Sequence, residues 1–103
     1  MRLPPSYLIE ATLIAQIAKL PARRLQVSDA YRTIAEELKV SDQAQREFYP
    51  SGGSRWHIAI RSAGDRLKRS GRLRRRPLSG IGWYELTEDF GRAGGLLDEL
   101  DDL

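Results

Sequence analysis

Three features of this chain predict an α+β domain that is mainly helical. Apolar residues recur at three- and four-residue spacing over three stretches, each bounded by a proline, a glycine or a hydroxyl side chain. Short runs with strand character stand at residues 25–27, 72–76 and 82–86. Charge is segregated: residues 54–76 carry nine Lys/Arg against one acid, Asp65, a local net charge of +8 where the whole chain has +3.

Pro4 and Pro5 precede Ser6, and the first helix follows at Tyr7–Leu20. Leu8, Ile9, Thr12, Leu13, Gln16, Ile17 and Leu20 fall on one face of it. Pro21, without an N–H to donate, ends it. Leu25-Gln26-Val27 is long enough for one short strand. Ser28 offers a capping hydroxyl to a second helix, Asp29–Lys39, with Asp29 at the positive end of the helix dipole. Its inward positions are Ala30, Ile34 and Leu38, with Tyr31 and Ala35 alongside. Residues 40–53 are polar and end in Pro50-Ser51-Gly52-Gly53, a loop with room for one helical turn.

Ser54 caps a third helix, Arg55–Ser70, whose apolar line is Trp56, Ile60, Ala63 and Leu67, and Gly71 ends it. Arg72–Arg76 and Gly82–Leu86 form a hairpin around Pro77-Leu78-Ser79-Gly80-Ile81. Thr87 with Glu88 and Asp89 starts a last capped turn that finishes at Gly91. The expected domain is residues 1–91, followed by an acidic, leucine-containing tail at 92–103. Helix, short strand, helix, helix and two wing strands is the order of a winged helix-turn-helix. In that fold the third helix enters the major groove and the wing follows the backbone or the minor groove.

Composition narrows the function classes. A chain of 103 residues, 41% hydrophobic and 30% charged, supports one packed core. Zero cysteines removes disulfides and Cys-based zinc sites, and a single His supplies no set of transition-metal ligands, so neither cofactor nor metal is expected. No apolar run approaches the ~20 residues that span a bilayer, and no signal-peptide pattern opens the chain, so a cytoplasmic, nucleoid-associated protein is expected. The first 53 residues are nearly balanced, with seven bases and six acids, while residues 77–103 hold one base, Arg92, against seven acids. A basic centre between such flanks points to a polyanion, and its helix-plus-hairpin pattern to double-stranded DNA.

Ser54, Arg55, His57, Arg61, Ser62, Asp65 and Lys68 lie at the start of the third helix or on its side opposite the apolar line, where a recognition helix meets base edges. Arg69, Arg72, Arg74, Arg75 and Arg76 are expected on phosphates, with Arg74 and Arg76 pointing together and Arg75 the other way. Ser79 and Gly80 mark the wing tip, where the chain can approach a phosphate closely. A solvated basic face, or an edge strand protected by charge, is the plainer reading of the same residues. Trp56, Trp83 and Tyr84 are candidates for a cage around a flipped or methylated base, Trp83 and Tyr84 being its contacts from the wing. Against that, Trp56 belongs to the apolar line and alternation turns one of Trp83 and Tyr84 into the core. Asp29 with Glu37-Leu38-Lys39 spells the Asp…Glu-x-Lys pattern of metal-dependent nucleases. On a helix, residues i and i+2 point about 200° apart, so the letters make no metal site and no enzyme is expected.

The stretch Ile60-Arg61-Ser62-Ala63-Gly64-Asp65-Arg66-Leu67-Lys68-Arg69-Ser70-Gly71-Arg72-Leu73 resembles the N-terminal winged-helix domain of Mrr-type restriction endonucleases. That family shows a basic residue and an Ala in mid-helix, a Leu four positions on, and a Lys-x-x-Gly-x-Leu ending. Gly82-Trp83-Tyr84-Glu85-Leu86-Thr87-Glu88-Asp89-Phe90-Gly91 is similar to its Gly-x-aromatic-x-Leu-Thr-Glu-x-Gly. The match covers residues 54–91 and is fainter over the first two helices. It departs at Ile81, where the family often has a base, and at the extra residue in Phe90-Gly91. The resemblance implies a module that targets double-stranded DNA, methylated DNA in modification-dependent systems. It also implies fusion to or association with a nuclease domain; apart from the resemblance, a homodimer is the other arrangement expected. A stand-alone dimeric winged-helix transcription regulator and a protein-interaction winged helix stay open as other classes. In the tail, Leu96, Leu97, Leu100 and Leu103 fit docking on the domain or a dimer contact ahead of a linker helix. Its acids Asp98, Glu99, Asp101 and Asp102 are also placed to compete with DNA for the basic face.

Overall fold

Prolines bracket the first helix. In the computed structural model, which describes residues 3–87, helix α1 spans Ser6–Lys19 with Pro5 as its N-cap. Its C-cap Leu20 is extended, with φ −82° and ψ 137°, as the residue before a proline prefers to be. Ile9, Leu13 and Ile17 of α1 are buried together with Thr12.

Strand β1, Arg24–Gln26, runs directly into helix α2, Val27–Glu37. Both start earlier than their spacing predicts, and Ser28 is not the cap. Gln26 holds the N-cap position without a side-chain hydrogen bond. The N–H of Val27 instead donates to the carbonyl of Gly82 at 2.8 Å, so a distant backbone group does what a serine hydroxyl was expected to do. At the far end Val40 N–H bonds to Ala35 O and Lys39 N–H to Glu36 O, while Lys39 turns left-handed at φ 55°. This Schellman closure leaves Leu38 as C-cap and puts Lys39 outside the helix expected to include it.

The polar stretch 40–53 does hold a helical turn: α3, Asp42–Gln45, is capped by Ser41 Oγ accepting from Ala44 N–H at 3.1 Å. Helix α4 spans Arg55–Arg69, with Ser54 Oγ accepting from His57 N–H at 3.3 Å. It ends in a second Schellman closure, Arg72 N–H to Leu67 O and Gly71 N–H to Lys68 O, with Gly71 at φ 80°. A left-handed residue suits glycine there, since a Cβ would crowd the following carbonyl.

Strand β2, Trp83–Glu85, pairs antiparallel with β1 in the register Arg24↔Glu85, Leu25↔Tyr84 and Gln26↔Trp83. Arg72–Arg76 does not form the strand its position predicts. Leu73 alone bridges Leu86, Arg74 N–H reaches Glu85 O at 2.8 Å, and the chain then curls away. Pro77 cannot donate to a ladder, and the next two N–H groups, of Leu78 and Ser79, turn to the Glu85 carboxylate. The described residues thus make four helices and a two-stranded antiparallel sheet, a mainly helical α+β arrangement. The expected turn at 87–91 lies, beyond Thr87, outside these residues, and so does the tail at 92–103.

The core gathers Ile9, Leu13 and Ile17, Ala30 and Ile34, Trp56, Ile60 and Leu67, closed by Leu25, Leu73, Tyr84 and Leu86 from the sheet side. Helix α4 packs most extensively on α1. Trp56 buries its indole and donates its N–H to Tyr31 O at 2.7 Å, so the largest core residue is also satisfied as a polar one.

Gly64 explains how the sheet comes so close to α4. A glycine in mid-helix weakens the helix, yet a Cβ here would lie 2.6 Å from Tyr84 Cε1 and 2.8 Å from Cζ. Tyr84 is 3% exposed and packs in the core cluster, so its ring must shift to admit a Cβ. Gly64→Ala gains up to about 1 kcal/mol of helix propensity, but the overpacking costs about 1–3 kcal/mol. Net destabilisation, read as a lower urea midpoint with an unchanged slope, is the expected outcome.

Candidate nucleic-acid interface

The hydroxyl that starts α4 decides which side chains face outward. With Ser54 spent on the cap, Arg55 begins the helix and the apolar line Trp56, Ile60, Ala63 and Leu67 turns inward. The opposite side presents Arg55, Ile58, Arg61, Asp65 and Arg69 to solvent, with Ser62 half-buried among them. His57 and Lys68 are half-buried at the borders of this face. The expected face is therefore assembled, with Ile58 added to it and Ser54 held as a cap.

Tyr31 of α2 organises one border. Its ring stacks on His57, centroids 3.8 Å apart and planes 10° from parallel, and its hydroxyl accepts from Arg61 Nε at 2.8 Å. Burial, and then the charge of Arg61, push the His57 pKa below its ordinary value. Both effects favour the neutral imidazole. Arg55 lies over the ring of Tyr49, 4.9 Å from its centroid. Neither tyrosine was legible as part of the site, because both read as ordinary aromatic neighbours of a core or a loop.

The cations divide into two sets. Arg66 binds Glu10 of α1 at 3.1 Å and Arg74 binds Glu85 at 3.2 Å. Among the described residues Arg55, Arg61, Lys68, Arg69, Arg75 and Arg76 form no ion pair. Lys68, Arg69 and Arg75 line one open depression with Asp65. Lys68, Arg75 and Arg76 line the next with Pro77, Gly80 and Trp83. The end of α4 and the 75–83 segment therefore share one continuous basic surface. Arg72 is exposed beside it.

Glu85 anchors that segment. Its carboxylate accepts from Ser79 Oγ at 2.7 Å, Leu78 N–H at 3.1 Å and Ser79 N–H at 3.3 Å, in addition to Arg74. Arg24 Nη1 reaches Ser79 Oγ at 2.8 Å from the neighbouring strand, and its guanidinium stands 5.1 Å from the Trp83 ring centroid. Two expectations change. Arg74 is engaged with the fold and does not point with Arg76, because no strand continues past it. Ser79 directs both its N–H and its hydroxyl at Glu85, which leaves Gly80, at φ 102°, as the exposed backbone of the turn.

The aromatic cage does not assemble. Trp56 and Tyr84 are core residues, and Trp83 stands half-buried against Arg24. Burial first, then the neighbouring Tyr31 and Asp65, push the Tyr84 hydroxyl up to about 12. Asp29 pairs with Arg32 at 3.3 Å, Glu37 closes α2, and Lys39 lies past it, so the nuclease-like letters do not converge. Among the described residues no group of three His, Asp or Glu could hold a metal, and no helix is long and apolar enough to cross a membrane. In comparisons with known proteins the chain matches no family model, no curated protein and no solved structure.

The Glu85 anchor has a pH signature. Burial by itself pushes the carboxyl up, but the bonds from Ser79 and Leu78 and the charge of Arg74 outweigh it and hold the pKa below the ordinary carboxylate value. A group with a depressed folded pKa stabilises the native state above its unfolded value, near 4.3, and loses that contribution as pH falls through the folded one. Glu85→Gln should therefore destabilise at pH 7 by about 1–3 kcal/mol, since it strands donors and Arg74. In urea titrations the gap between variant and parent should narrow below about pH 4.

Proposed function

We propose that this chain is a winged-helix module that binds double-stranded DNA, a binding protein and not an enzyme. Helix α4 is the recognition helix, in the major groove, and the 72–87 segment with β2 is the wing. The element order and the bridge of Leu73 to Leu86 beside β1 and β2 support that topology. The observation that carries the reading is the sorting of cations: those at the end of α4 and on the wing that form no ion pair among the described residues share one surface, with Asp65 the one acid lining it. A cluster dominated by one sign of charge costs stability, and phosphates are a partner that offsets it.

On this reading Arg55 and Arg61 reach base edges, with Ser62 and Asp65 further along the same face, Asp65 suited to accept from a cytosine amino group. Lys68, Arg69, Arg72, Arg75 and Arg76 grip phosphates, with Gly80 at the wing tip. The resemblance of residues 54–91 to the N-terminal domain of Mrr-type restriction endonucleases supports a place in a restriction or defence system, with a nuclease domain joined or associated. Any reading of base methylation rests on α4, since the aromatic pair Trp56 and Tyr84 is spent on the core. A protein-interaction reading has one observation of its own, the exposed trio Phe48, Tyr49 and Ile58. Arg55 over Tyr49 makes that patch cationic as well.

With five or six phosphates neutralised, at ~0.9 each, log K should fall against log[salt] with a slope of about −5. Fluorescence anisotropy on unmethylated, adenine-methylated and cytosine-methylated duplexes measures it, and a slope shallower than about −2 contradicts the reading. Arg61→Ala should cost about 1–3 kcal/mol and relax preference at one base position. Tyr31→Phe keeps the ring on His57 and removes the hydroxyl that aims Arg61. It should relax the same position by less, and competition binding across single-base variants of the preferred site separates the two.

A further inference from the structure

The wing carries something that a phosphate clamp does not need. Leu78 is 82% exposed and Ile81 104% exposed, and they belong to the same turn. Single exposed apolar residues are ordinary on protein surfaces. These two are distinguished by how they are mounted and by what surrounds them.

The turn is tied from several sides. Leu78 and Ser79 donate to Glu85, Gly80 N–H donates to Pro77 O at 3.0 Å, and Gly82 O accepts from Val27 N–H at 2.8 Å. Gly80 and Gly82 are left-handed, φ 102° and 88°, so the chain reverses on either side of Ile81 and leaves its side chain at the apex. The depression beside it is lined by Lys68, Arg75 and Arg76. Ile81 thus stands, on a turn tied at several points and shared with Leu78, beside three cations that form no ion pair among the described residues.

From this placement, and resting on the DNA reading above, we infer that Leu78 and Ile81 form an apolar wedge that enters the minor groove and unstacks a base step. Lys68, Arg75 and Arg76 hold the phosphates beside it. Apolar side chains inserted between bases from the minor groove kink the duplex, and the unstacking they require is offset by the protein surface that the bend brings into contact. Water gains nothing from two aliphatics on a basic tip, whereas an opened base step gives them an apolar slot. Pyrimidine–purine steps open most easily, so the wedge adds a preference for TA or CA/TG beneath the wing that no hydrogen bond reads.

The test compares the parent protein with the double variant Leu78→Ser/Ile81→Ser on a duplex labelled at both ends for energy transfer, with 2-aminopurine beside a TA step. Both side chains are exposed, so the variant's melting temperature should match the parent's. The parent should raise 2-aminopurine emission several-fold and shorten the end-to-end distance, while the variant keeps the salt slope and loses both signals. Binding by the parent without either signal, or equal signals from the variant, overturns the wedge and leaves the DNA reading standing. Absence of binding in the anisotropy series fails the DNA reading first, and the wedge with it. Self-association that is lost in the variant, with DNA geometry unchanged, makes the tip a contact between copies and overturns the wedge.

Discussion

The shape of the basic surface depends on the carboxylate of Glu85. Arg74, Arg75 and Arg76 are consecutive like charges, and left alone they would drive the segment apart. One acid in the adjoining strand takes Arg74 and, with the same two oxygens, the N–H groups of Leu78 and Ser79. The backbone of Glu85 pairs with Arg24 on one side and accepts from Arg74 N–H on the other. A single residue therefore joins β1, β2 and the turn, and it fixes where the remaining arginines stand. Charge repulsion and turn geometry are settled by the same interaction.

Tyr31 plays the corresponding part for α4. Its backbone carbonyl receives the Trp56 indole, a core contact, while its ring and hydroxyl hold His57 and Arg61 at the surface. The orientation of the outward arginine is thus coupled to the packing of α2 on α4, without a loop in between. Gly64 does the same for the wing: by offering no Cβ it lets the Tyr84 ring close on α4, and Lys68 then lies 5.6 Å from that ring's centroid. Helix α4 and the β2 segment hold a common register because each is packed on the other.

What could be read in the sequence was what local residues decide. The apolar lines of α1, α2 and α4, the Ser54 cap and the Gly71 ending all follow from neighbours within one or two turns, and they stand where expected except for Leu8, which α1 leaves exposed. The start of α2 was misplaced because Val27 is satisfied by Gly82, a partner 55 residues away that no local pattern announces. Serine at 28 is a good cap by propensity, and tertiary pairing overrode it. The turn α3 did carry a signal in Ser41-Asp42, a capping hydroxyl followed by an acid. Arg72–Arg76 could not be resolved from letters alone, since a run of like residues has no alternation to read. Arg74 became structural only because Glu85 faces it. Most of the site face on α4 was legible from periodicity, but the tyrosines that aim it and the anchor that shapes the wing depend on long-range contacts.

The fold itself accounts for only part of the arginine content of this region. Arg66 and Arg74 are accounted for by Glu10 and Glu85, and replacing either would strand a partly buried acid. Those two are the fold's own. Arg69, Arg75, Arg76 and Lys68 support no comparable acid among the described residues, and their mutual repulsion weakens the free domain. A partner protein that used this surface would need a matching acidic face, and it would gain little from Ile81 standing among the cations with Leu78 on the same turn. A duplex offers both features together, rows of phosphates on either side of a groove and an apolar stack of bases beneath. The joint presence of charge without ion-pair partners and exposed aliphatic carbon, more than the charge alone, is what the proposed DNA reading rests on.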